Sequence, residues 1–96
     1  MTKLKPLKAD PASTPAPFDL ADAEAVHMLA AGTAEPAQQK RALKWIIESA
    51  AATYQWPFRE VARETDIALG RQFVGQQIVG LLKLDLSKLR RDFEHG

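Results

Sequence analysis

The spacing of the apolar residues in the middle of the chain constrains its fold most strongly. Between Leu43 and Tyr54 they recur at offsets of 0, 3, 4, 7, 8 and 11, which is the period of an amphipathic α-helix. Pro36 suits the first position of this helix, and we expect the helix to end near Gln55 because Trp56 precedes a proline. The stripe consists of Leu43, Ile46, Ile47, Ala50, Ala51 and Tyr54.

Helix-capping residues indicate a shorter helix before this one and another at the C-terminus. Asp19 is a favourable N-cap for the first helix, and Gly32 is a favourable residue just after its end. Asp85 or Ser87 would cap a short terminal helix that carries several apolar residues. We therefore predict one helix on each side of the central region.

A longer helix is predicted between the central and the terminal helices. Thr65 or Asp66 is its candidate N-cap, and the helix would run from about residue 67 to residue 84. Its apolar residues occupy more than one face. We therefore expect it to be the most buried element of the domain.

Three glycines, Gly70, Gly75 and Gly80, lie inside this third helix. Each costs roughly 1 kcal/mol relative to alanine in a helix interior. A spacing of five residues places successive glycines about 140° apart around the axis, so they do not share one face. We expect them to allow close backbone approach by different neighbours, within the domain or across an interface; a break near Gly70 is the alternative.

The remainder of the sequence supports an all-α fold. No stretch alternates apolar and polar residues as a strand does. We predict a small bundle of three to four helices over residues 19–96, preceded by an extended proline-rich arm at residues 1–18. The arm is either a flexible leader or a segment that orders against a neighbouring subunit.

Composition argues against catalytic and metal-binding functions. The chain has no cysteine and two distant histidines, His27 and His95, which do not provide the ligand set of a zinc site. No serine lies in a nucleophile motif, and the glycines match no phosphate-binding loop. We predict no catalytic residue, no metal and no cofactor, and no membrane association because no apolar run is long enough.

Two features suggest binding. Lys40, Arg41 and Lys44 form a compact basic patch that would contact nucleic acid phosphates, although the 13 basic and 12 acidic residues of the chain nearly cancel. Trp45 lies off the main apolar stripe. Because tryptophan is common at interface hot spots, Trp45 is either part of a second core face or a partner contact.

Four segments between residues 41 and 89 carry a resemblance to a known family. They are the basic and leucine-containing start of the central helix, an aromatic turn, a G-R-x-x-V-G stretch, and a leucine pair followed by aspartate. The segments are Arg41–Leu43, Thr53–Phe58, Gly70–Gly75 and Leu81–Asp85. In these the sequence resembles the Bbp-nineteen-like family of small tailed-phage proteins, whose members come from head and packaging gene clusters.

The resemblance implies a non-enzymatic phage structural or assembly protein, such as a minor virion or head–tail adaptor component. It would bind other phage structural proteins in several copies, in the virion or the host cytoplasm. It implies that Gly70 and Gly75 lie where the third helix crosses the second, and that Arg71 projects to a partner or a carboxylate. The alternatives are a DNA-packaging factor similar to a small terminase subunit, binding DNA through Lys40, Arg41 and Lys44, and a small host-directed regulator.

Overall fold

In a computed structural model, which describes residues 14–95, the protein is all-α, as predicted. No strand occurs in this part of the chain. Most of the predicted arm, residues 1–13, lies outside the described residues, and the five arm residues that are described are not helical. The helices are α1 (Leu20–Ala31), α2 (Pro36–Trp45), α3 (Ala62–Leu82) and α4 (Leu86–His95), and α2 continues into a π-helical segment at Ile46–Ala50, here called the π segment.

Helix α1 begins and ends where the local sequence predicts. The Asp19 carboxylate accepts a hydrogen bond from the Asp22 amide at 2.9 Å, and the Asp22 carboxylate accepts one from the Asp19 amide at 3.1 Å. This reciprocal capping satisfies two amides at the start of the helix. At the other end Gly32 takes the left-handed conformation with φ of 77°, which glycine adopts without a steric penalty.

The second helix ends at Ala50, earlier than the predicted end near Gln55. The Ala51 amide reaches back to the Ile46 carbonyl at 2.9 Å, which is π-helical spacing, and Ala52 then turns the backbone with φ of 51°. The buried Thr53 hydroxyl donates to the Ile47 carbonyl at 2.6 Å. The helix therefore ends here, because the Thr53 side chain, which lies beyond the turn, donates a hydrogen bond to Ile47, one of the last carbonyls of the helix.

Helix α3 begins at Ala62, so the predicted N-caps Thr65 and Asp66 lie inside it. The Thr65 hydroxyl accepts a hydrogen bond from the Arg59 amide at 2.8 Å and so fastens the preceding loop to the first turn of the helix. The expectation that this helix is the most buried element is wrong. Only Ala68 and Gly75 are buried in it, because the π segment is the only helical element packed against it among the described residues.

The core is built from small side chains. Its buried apolar residues are Ala25, Ala42, Ile47, Ala51 and Ala68. Helix α1 packs on α2, the π segment packs on α3, and α4 packs on none of the other helices. Alanine allows close helix approach but removes little apolar surface from water, so the described chain buries few of its large side chains.

Candidate interaction surface

Large apolar side chains lie on the surface along the whole described chain. Several are more than half exposed on α3 and α4, including Phe73 at 61%, Leu81 at 67% and Phe93 at 79%. Where such residues form a contiguous surface on a soluble protein, that surface commonly marks a binding site. The others in this region are Leu69, Val74, Leu82, Leu84 and Leu86.

At Gly75 helix α3 lies close to the end of the π segment and the turn that follows it. A Cβ added there would overlap the Thr53 hydroxyl and would lie 2.9 Å from Thr53 Cβ and 3.0 Å from Ala51 Cβ. The expected close crossing of the second and third helices therefore occurs at Gly75. Glycine is required there by space, since its φ is not positive.

The expected crossing does not occur at Gly70, and neither Gly70 nor Gly80 closely approaches another described part of the chain; close approach across an interface stays a prediction at both. A Cβ at either position would meet nothing within 4 Å. Both residues are exposed on α3, turned away from the face that holds the buried Gly75. No contact within residues 14–95 explains their cost in helix propensity.

Arg71, which the family resemblance places toward a partner or a carboxylate, binds two backbone carbonyls of its own chain. Its Nε donates to the Ala50 carbonyl at 3.0 Å, and its Nη2 donates to the Ser49 carbonyl at 3.1 Å. Arg71 is half-buried and places its positive charge at the C-terminal end of the π segment, where the helix dipole is negative. Its role in this structure is to close a helix end.

Gln72 completes this junction. Its side-chain amide donates to the Thr53 carbonyl at 2.9 Å and to the Gln55 carbonyl at 3.0 Å. Adjacent side chains of α3 therefore bind the end of the π segment and the loop that follows it. This loop is held firmly but leaves its aromatic side chains outside: Tyr54, Trp56 and Phe58 are 69%, 74% and 55% exposed.

The exposed Tyr54 departs from the predicted apolar stripe of the second helix, which included it. Trp56 and Phe58 contact each other, with ring centroids 5.1 Å apart. The helix ends at Ala50, so Tyr54 no longer follows the apolar stripe of α2. The stripe breaks because the left-handed Ala52 changes the direction of the chain.

Trp45 is half-buried and contacts the end of the arm. Its indole Nε1 donates to the Pro17 carbonyl at 2.9 Å, and its ring lines an apolar pocket of about 220 Å³ with Phe18, Val26 and His27. Trp45 was predicted to belong either to a second core face or to a partner contact. Its described contacts form a second packing face between α2, the residues before α1 and α1 itself. A partner contact by Trp45 stays a prediction.

The basic patch loses its arginine to an intramolecular ion pair. Arg41 Nη2 lies 3.0 Å from Asp19 Oδ1, and Arg41 Nε lies 2.9 Å from Asp22 Oδ1. The backbone hydrogen bond from Asp22, followed by the bonds and charge of Arg41, holds the pKa of the Asp19 carboxyl below its ordinary value. Only Lys40 and Lys44 of the predicted DNA-binding set stay exposed without a carboxylate partner in the described ion pairs.

An apolar groove of about 430 Å³ lies between α2 with the π segment and the C-terminal end of α3. Its apolar lining comes mainly from Leu43, Ile47, Val79 and Leu82. The polar residues that line it are Glu48, Tyr54 and three lysines, Lys40, Lys44 and Lys83. We call this feature the lysine-rimmed groove.

Helix α4 presents an apolar face that no described residue of another helix covers. Leu86, Leu89 and Phe93 follow at intervals of three and four residues and so lie on one side of the helix. The Asp85 carboxylate accepts a hydrogen bond from the Lys88 amide at 3.1 Å, which confirms Asp85 as the N-cap. The helix therefore has a capped start, although none of the other described helices packs on it.

Residues 14–95 contain no group of three or more potential metal-ligating side chains, and none of their helices is both long enough and apolar enough to span a membrane. The sequence matches no protein-family model, and no curated protein sequence or solved structure matches it. The resemblance to the Bbp-nineteen-like family stays a prediction that rests on residues 41–89.

Proposed function

We propose that this protein is a non-enzymatic assembly protein that works by binding other proteins through α3 and α4. The observation that carries the proposal is the contrast between a core made mostly of alanine and the exposed leucines and phenylalanines of these two helices. A chain of this size buries only about 60% of its unfolded surface on folding alone. Burial of the exposed apolar residues against a partner would supply the missing stabilisation.

The proposed context is a tailed-phage particle, as a minor structural or head–tail adaptor component that binds other phage structural proteins in several copies. The resemblance of residues 41–89 to the Bbp-nineteen-like family supports this context, and the exposed apolar helices support a binding role within it. The location would be the virion, or the host cytoplasm before assembly.

Quantitative mass spectrometry of purified, nuclease-treated particles released by the host that carries the gene tests this proposal. We expect the protein at a fixed number of copies per particle. Absence from particles, together with abundance in the producing cells, would contradict a structural role.

The alternative, a DNA-packaging factor, has weaker support. Its predicted contacts were Lys40, Arg41 and Lys44, and the Arg41 guanidinium binds two carboxylates of this chain. Two lysines without the arginine make a small phosphate-binding surface. A host-directed regulator has no specific contact in the structure to favour it.

A further inference from the structure

The last carbonyls of the second helix can be satisfied by two different windings of the backbone. In a helix that continued to Gln55, as the apolar stripe predicts, the carbonyls of residues 47–50 would each accept a hydrogen bond from the amide four residues later. The helix ends instead as the π segment, and other groups bind each of these carbonyls. The two windings therefore use the same acceptors with different donors.

Side chains supply the substitute donors. The Thr53 hydroxyl donates to the Ile47 carbonyl at 2.6 Å. The Gln55 side-chain amide donates to the Glu48 carbonyl at 3.3 Å. Arg71 of α3 binds the last two carbonyls, which in a continuous helix would accept backbone amides. Arg71 thus holds the two acceptors that continued α winding needs.

The observed winding carries a backbone cost that a continuous helix would not have. Ala52 has φ of 51°, in the left-handed region that residues with a Cβ disfavour. Ala51 and Ala52 are also of the residue type with the highest helix propensity. The local sequence therefore favours α winding through residues 51–55, and the observed form depends on contacts that oppose it.

Helix α3 supplies these opposing contacts. In addition to the hydrogen bonds of Arg71, the Gln72 side-chain amide donates to the Thr53 and Gln55 carbonyls at 2.9 and 3.0 Å. The Thr53 side chain lies in the space that a Cβ at Gly75 would fill. Continued α winding would move Thr53 and Gln55 and so break these contacts. The π segment is thus the form that α3 binds.

Helix α3 meets the other described helices only at this junction. The π segment is the only helical element packed against it among residues 14–95, and only Ala68 and Gly75 of α3 are buried. Docking therefore removes little apolar surface from water, which makes the docked state weakly stabilised. The same small contact determines both the docking of α3 and the winding of the second helix.

We propose that residues 46–55 form a two-state element coupled to the docking of α3. While α3 is docked, the segment has its π winding. When Arg71 is withdrawn from its two carbonyls, the second helix continues in α winding to Gln55 and α3 is released. Release of α3 and lengthening of the second helix are then one transition, so whatever favours one favours the other. This device belongs to the chain itself and does not depend on which proteins it binds.

Nuclear magnetic resonance of the full-length chain tests the coupling through Arg71→Ala. The Cα chemical shifts of residues 51–55 report winding, and the nuclear Overhauser contact between Thr53 and Gly75 reports docking of α3. We expect Arg71→Ala to move these shifts to helical values and to abolish the contact. Arg63→Ala, at an exposed position of the same helix, is the matched control and should change neither.

Adding Ala52→Gly to Arg71→Ala distinguishes a switch from a simple loss of structure. Glycine adopts the left-handed conformation without steric cost and disfavours α winding, so the double variant should regain the contact between Thr53 and Gly75. Random-coil shifts at residues 51–55 in Arg71→Ala would overturn the proposal, because no α form would replace the π form. Unchanged shifts, or no recovery of the contact in the double variant, would contradict the coupling.

The natural chain provides a second measurement, which decides the question even if Arg71→Ala does not fold. Relaxation-dispersion and saturation-transfer experiments detect minor states with populations of about 0.1–10%. We expect a minor state whose Cα shifts are helical at Ala52, Thr53 and Tyr54. If there is no such state, or if its shifts there are those of random coil, the second helix has no alternative winding and the proposal is wrong.

Discussion

Gly75 sets the distance between α3 and the end of the π segment. The neighbouring Thr53 hydroxyl is already bound to the Ile47 carbonyl at 2.6 Å, so it cannot move aside without losing that hydrogen bond. A buried polar group that loses its partner costs about 1 to 3 kcal/mol. The crossing therefore combines a steric requirement with a hydrogen-bonding requirement.

We predict opposite effects for alanine at two glycines of the same helix. Gly75→Ala should lower the free energy of unfolding by about 1 to 3 kcal/mol, because its Cβ overlaps Thr53 and outweighs the gain in helix propensity. Gly70→Ala, in open space, should raise it by up to about 1 kcal/mol. Urea denaturation followed by circular dichroism measures both, and a stabilising Gly75→Ala would contradict the close crossing.

Arg71 shows why a residue's role is hard to read from sequence. A sequence motif indicates that an arginine is present but not which group it binds. Here two hydrogen bonds of Arg71 go to the Ser49 and Ala50 carbonyls, 22 and 21 residues earlier in the chain. Arg71 binds the carbonyls at the end of the π segment, so its role depends on where that segment ends. Neither the end of the segment nor the role of Arg71 can be predicted from the spacing of neighbouring residues.

At the scale of helices, the ends with local caps could be predicted and the others could not. Asp19, Gly32 and Asp85 act on amides or backbone angles within a few residues, so the sequence around them is sufficient. The end of the second helix and the start of α3 depend on contacts across the chain. Their predicted positions were therefore wrong by several residues.

One part of the candidate interaction surface could be predicted from local sequence spacing, and another part could not. The apolar face of α4 was visible in the spacing of Leu86, Leu89 and Phe93. The groove was not, because it combines residues from three separate segments. The pairing of Arg41 with Asp19 also joins residues distant in sequence, and it gives the arginine of the expected DNA-binding set a partner within its own chain.

The contact between α1 and α2 should respond to acid through Asp19. Its pKa is lowered from an ordinary value of 3.8, first by the Asp22 amide and then by Arg41. Since the pKa is lower in the folded chain than in the unfolded one, the stabilisation is present above about pH 4 and is lost as the pH falls through the folded value. We expect the free energy of unfolding to decrease over this acid range.

Arg41→Gln should lower stability at neutral pH and reduce the acid-dependent loss. Lys44→Gln is the matched control, because Lys44 makes no ion pair among the described residues. Urea denaturation at a series of pH values from about 7 to about 2 measures the difference. An unchanged acid dependence in Arg41→Gln would show that the ion pair does not contribute.

At the scale of the whole molecule, the charges do not favour nucleic acid. The formal net charge is +1, and Arg41 is neutralised by its own chain. We expect only weak binding to duplex DNA by fluorescence anisotropy, with no steep loss between about 50 mM and about 200 mM salt. A steep salt dependence that Lys40→Ala with Lys44→Ala reduces would instead support the packaging alternative.

The alanine-based core has a consequence for how this sequence can change over time. Truncating a core side chain removes little, since Ala25, Ala42, Ala51 and Ala68 are already short. Enlarging one would overpack a buried position, which is also destabilising. If the exposed leucines and phenylalanines of α3 and α4 form binding surfaces, selection against substitution should be as strong at these surface positions as it is at the core positions of most proteins. Substitutions there should then be accompanied by substitutions in the partner proteins.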